Sequence, residues 1–129
     1  MNQYSLRKET DLTVEEAEAR VRAALAAEGF GVLTEIDVTA TLREKLGVEI
    51  GAYRILGACN PALADQALRR EPDIGVLLPC NVVVYEAGDR TVVAAFDPAI
   101  MSSVTGNDAL QDLADDARAR LERALSAIF

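Results

Sequence analysis

The chain has 129 residues, half of them hydrophobic and about a quarter charged. That is the size and composition of one globular domain with a core large enough to need no staples. The formal net charge is −8 and there is no histidine. An acidic surface repels phosphate backbones, which argues against nucleic acid as a partner, and without histidine no Ser-His-Asp or Cys-His machinery can be built. No 18-residue apolar run is present, so no membrane-spanning helix is expected, and the polar Met1–Thr10 stretch does not read as a signal peptide.

Tyr4 to Glu9 fits a first strand. Thr13 and Glu16 have the spacing of a capping box, and Val14, Ala17, Val21, Ala24 and Leu25 recur at helical period behind them. Gly29 is placed to end that helix. Phe30 to Val38 alternates as a half-buried strand, Thr41 to Leu46 reads as a short helix closed by Gly47, and Ile50 to Cys59 reads as a third strand. Asn60-Pro61 starts a brief helix over Ala62 to Arg70. Gly75 to Leu78 is expected to be extended. Val82 to Tyr85 and Thr91 to Phe96 form a hairpin about Ala87-Gly88-Asp89, and Asp97-Pro98 stops the second strand. A long helix, capped by Asn107, carries Leu110, Leu113, Leu121, Leu125 and Ile128 on one face.

The expected fold is α+β, in the order strand, helix, four strands, helix. The strands form an antiparallel meander with two long helices on one face and short helices inserted between strands. Residues 1–129 read as a single domain. The other sheet face is apolar around Val82–Val84, and a second copy of the chain is the expected cover, which makes a homodimer.

A meander also locates a site. Cys59 ends the third strand, Cys80 begins the fourth and Asp97 ends the fifth, so the three should share one edge of the sheet. Asn60, Asn81 and Met101 should lie close by, together with the start of the Pro61 helix, a seat for an anion. Cys59, one residue before a helix cap, is the candidate catalytic thiol, with a partly lowered pKa. Both cysteines also read as small buried hydrophobes, which is the usual fate of a free cysteine. In a cytoplasmic protein both would be reduced thiols. No stretch has metal-ligand spacing, and no glycine-rich nucleotide loop is present, so neither a metal nor a cofactor is expected.

The segments Gly57-Ala58-Cys59-Asn60-Pro61, Leu77-Leu78-Pro79-Cys80-Asn81 and Asp97-Pro98 with Met101 resemble the domain of unknown function 302 family of bacterial and archaeal proteins. The likeness extends over nearly the whole chain. It implies a strand-helix-four-strands-helix fold of the kind seen in the TATA-binding-protein-like group, and a homodimer. It implies no reaction and brings no catalytic residues with it. The expected function is therefore an accessory module that binds a small ligand or partner at the strand ends. The alternative is a thiol enzyme or redox sensor using Cys59 with Cys80 in support.

Overall fold

Thr13 starts the first helix as its spacing requires. Its hydroxyl accepts from Glu16 N, and the Glu16 carboxylate accepts from Thr13 N, each at 3.1 Å. In the computed structural model, which describes residues 2–128, this helix α1 (Val14–Ala27) follows strand β1 (Ser5–Thr10). Then come β2 (Gly31–Asp37), α2 (Val38–Leu46), β3 (Tyr53–Cys59) and α3 (Pro61–Arg70). The chain continues through β4 (Cys80–Ala87), β5 (Arg90–Phe96), α4 (Ala99–Thr105) and α5 (Gln111–Ala127). Short 3-10 turns occupy Pro72–Leu77 and Asp108–Leu110.

The fold is the α+β meander expected. One sheet has the order β1-β5-β4-β3-β2, with every neighbouring pair antiparallel. Helices α1 and α5 lie together on one face. Val14, Val21, Leu25, Leu121, Leu125 and Ile128 pack there on Leu56, Val82, Val84, Val93 and Ala95. Each fully buried side chain of this kind contributes ~1.5–3 kcal/mol. A smaller cluster of Ala67, Ile74, Cys80, Met101, Leu110 and Leu113 sits beyond the end of the sheet.

Local differences have local causes. Helix α2 begins at Val38 rather than Thr41, because the Asp37 carboxylate caps it, accepting from Ala40 N at 3.0 Å. Gly75–Leu78 is not extended. Pro72 opens a 3-10 turn there, and Ile74 is buried by it. Helix α4 was not expected. Asp97 both ends β5 and receives Ala99 N at 3.0 Å, so the stop signal for the strand also starts a helix.

Strand alternation divides the valine run. Val82 and Val84 are sealed under the helices, and only Val83 lies on the helix-free face. The register there forms one cross-strand row, Ile36–Ile55–Val83–Ala94–Arg7. A second row pairs Tyr53 with Tyr85 and Val92.

Candidate functional site: the strand-end cavity

Where β3 and β4 run out, the main core and the smaller cluster fail to close completely. A cavity of about 40 Å³ remains, lined by Cys59, Asn60, Cys80 and Met101 together with Phe30, Leu63, Leu78 and other apolar residues. Four of the six residues expected at this edge thus border one cavity. The other two do not. Asn81 alternates away from Cys80 and lines a groove on the helix-free face. Asp97 pairs with Arg118 of α5, its two carboxylate oxygens 3.1 and 3.3 Å from Nε, outside the lining.

Asn60 is committed to structure. Its Oδ1 accepts from Leu63 N at 3.3 Å, capping α3, and its Nδ2 donates to the Glu28 carbonyl at 3.5 Å. Gly29 makes room for that amide. Its φ is +85°, and a Cβ there would stand 3.0 Å from Asn60 Nδ2. Because Pro61 has no N–H and Leu63 N is taken, the start of α3 offers little to an anion.

The two cysteines are free thiols in different settings, Cys80 buried and Cys59 partly exposed. Burial, with Cys59 nearby, pushes the Cys80 thiol up to about 11. It is therefore protonated at neutral pH and a poor nucleophile. Across the strands Cys80 stands opposite Ala58, not Cys59. No charged residue lines the cavity. Among the described residues, no group of three or more Cys, Asp or Glu is arranged to hold a metal ion.

Leu63, Leu78, Leu113 and Ala117 of the lining were not anticipated. Leu113 and Ala117 could have been found, since they continue the apolar stripe of the last helix. Leu78 could not, because its position depends on the 3-10 turn before it.

A meander sheet backed by two long helices, with an apolar cavity at its strand ends, defines the α+β class of this protein. The family comparison is specific. The model for the domain of unknown function DUF302 matches residues 6–128, and the chain belongs to that family. Among solved structures it is similar to an uncharacterized conserved DUF302 protein from Bacillus stearothermophilus. That crystal structure is 29% identical in sequence with a TM-score of 0.92, and the match covers 99% of this chain and 100% of the other. No match to a curated protein was found. No helix among the described residues is long and apolar enough to cross a membrane.

Proposed function

We propose that this protein is a single-domain, cytoplasmic, homodimeric module that binds a small uncharged ligand at the strand-end cavity. The carrying observation is the cavity itself, a gap between two core clusters bordered by apolar side chains, two thiols and the Asn60 amide, with no charge. Such a lining favours an apolar group over the anion expected from the helix start. An engineered apolar cavity of about 150 Å³ binds benzene. The space here is smaller and suits the end of an alkyl chain. Helix α3 buries only Ala67 completely, so it is the element best able to shift for a larger occupant.

The test is an amide chemical-shift titration with n-alcohols from propanol to hexanol. The expected result is saturable shifts centred on Cys59, Leu63 and Met101, with affinity rising along the series. Ala64→Leu, which adds bulk to the cavity wall, should abolish them. Scattered, non-saturating shifts, or unchanged binding in A64L, would refute the assignment.

Two unpaired thiols favour a reducing compartment. The second copy is supported by exposed apolar side chains concentrated in residues 33–50. A thiol role for Cys59 is the second reading, favoured by its partial exposure at the cavity wall beside a sealed Cys80.

A further inference from the structure

The helix-free face carries a groove of about 280 Å³, close to the lower limit of ordinary ligand pockets at about 300 Å³. The chain has three tyrosines, and all three, Tyr4, Tyr53 and Tyr85, line this groove. Phe96 joins them, whereas the core under the helices is almost wholly aliphatic. Tyr53 and Tyr85 are stacked, with centroids 5.1 Å apart and planes 14° from parallel. Val83 and Ala94, paired across β4 and β5, add aliphatic surface to the lining.

The charge of the groove is opposite to that of the chain. The net charge is −8, yet no carboxylate lines the groove and Arg7 does. Two other surface grooves do carry carboxylates, one with Asp37 and Glu86 beside Arg43 and Arg54, the other with Asp11, Glu15, Glu86 and Asp89 beside Arg90. Arg7 and Tyr85 line the same groove, and the nearby Tyr85 side chain favours the charged guanidinium. Arg7 also meets Glu9 at 3.2 Å, but both partners are well exposed, so that pair is weak. A guanidinium has five N–H donors, and the Glu9 pair leaves some unused. Asn81, exposed at the other end of β4, adds a neutral amide.

We infer that this groove binds a small aromatic monocarboxylate, its ring against the tyrosines and Val83 and its carboxylate on Arg7. Ring edges and faces favour an aromatic guest over an aliphatic one of equal area. The guanidinium fork matches a carboxylate. The site is separate from the strand-end cavity, because alternation along β4 sends Cys80 to one face and Asn81 to the other.

Benzoate is the probe, with benzamide as its neutral isostere and acetate as the anion without a ring. Binding is measured by titration calorimetry and by tyrosine emission, which reports the groove directly because the chain has no tryptophan. Benzoate should saturate, with benzamide and acetate weaker by about tenfold or more, the scale of one charge-assisted hydrogen bond. Arg7→Gln should lose about the same factor while its circular dichroism is unchanged. Tyr85→Phe, which keeps the stack, should weaken benzoate less, and Arg43→Gln and Ala64→Leu should not weaken it. If R7Q unfolds, Asn81→Ala takes its place, with a loss of a fewfold expected. The inference is overturned if wild-type protein shows no saturation, if benzamide equals benzoate, or if folded R7Q (or N81A in its place) binds as wild type.

Discussion

Ala58 and Cys80 are partners across β3 and β4, which leaves Cys59 one residue out of register with Cys80. Side chains one residue apart on a strand point to opposite faces, so the register does not set the two thiols directly across from one another. Their chemistry should divide accordingly. Iodoacetamide should modify Cys59 in native protein and reach Cys80 only after denaturation. Mass spectrometry of peptides from native and urea-treated samples checks this. Native protection of Cys59 would remove the thiol reading, and rapid native labelling of Cys80 would contradict its burial.

Cys80 also predicts how stability responds to alkali. Burial raises its pKa from the ordinary value of 9.0 to about 11, so the fold favours the protonated thiol. The stabilising share is complete below about pH 9 and is lost as the pH climbs through about 11. Urea midpoints measured from pH 8 upward should fall more steeply in wild type than in Cys80→Ala over that window. Parallel curves would mean the thiol is not sealed.

Gly57 tests the packing behind the cavity. A Cβ at this position would meet Thr34 Oγ1 at 2.2 Å and Pro79 Cγ at 2.8 Å. Both contacts are too close for real atoms, and the neighbours are a strand side chain and a stiff ring. Gly57→Ala should destabilise by about 1–3 kcal/mol, the range for overpacking. Thr34→Ala in the same chain should restore part of the loss by removing the nearer clash. A denaturant series on the two single variants and the double variant measures it. No loss in G57A would show that β2 and the Pro79 segment yield freely.

The thiols and Gly57 also mark how far the sequence could be read. The Thr13 capping box, the apolar stripe of α5 and the hairpin at Gly88 are local patterns, and each formed where local chemistry put it. Cys59, Asn60, Cys80 and Met101 came to one cavity because a meander brings alternate strand ends together. Asn81 lies at the expected end but on the other face from its neighbour Cys80. An edge argument places both residues at the same end but ignores the period of two that separates their faces. Asp97 lies outside the cavity lining because Asp-Pro signals both a strand end and a helix start, and its carboxylate meets Ala99 N and Arg118. The tyrosine groove was invisible because Tyr4, Tyr53 and Tyr85 are distant in sequence and meet only through pairing of four strands.

Asp97 should therefore behave as a structural residue. Asp97→Ala removes the Arg118 pair and the hydrogen bond from Ala99 N, and a loss of about 1–2 kcal/mol is expected from one hydrogen bond plus a partly exposed ion pair. Asp97→Asn retains an oxygen for Ala99 N and should lose less. Alcohol binding at the cavity and benzoate binding at the groove should survive both changes. If either disappears in a folded D97N, Asp97 has a direct role there.

The second copy is best sought at α2. This helix has nine residues and buries none of them fully, and a helix that short is marginal when left to itself. Leu46 is 71% exposed, Val48 45% and Ile50 36%, side chains that would ordinarily be covered. Edge-to-edge joining through β2 is the weaker geometry, because the register shifts at Leu33 and such a bulge blunts strand addition. Packing of α2 and the following loop against their own copies hides the apolar residues without using the strand edge. Light scattering should report a dimer for wild type. Leu46→Glu and Val48→Glu should give monomers, whereas Val83→Glu, on the helix-free face over the groove, should remain dimeric. A dimer broken by V83E and not by L46E would move the interface to the sheet, and the tyrosines would then be contact residues between copies.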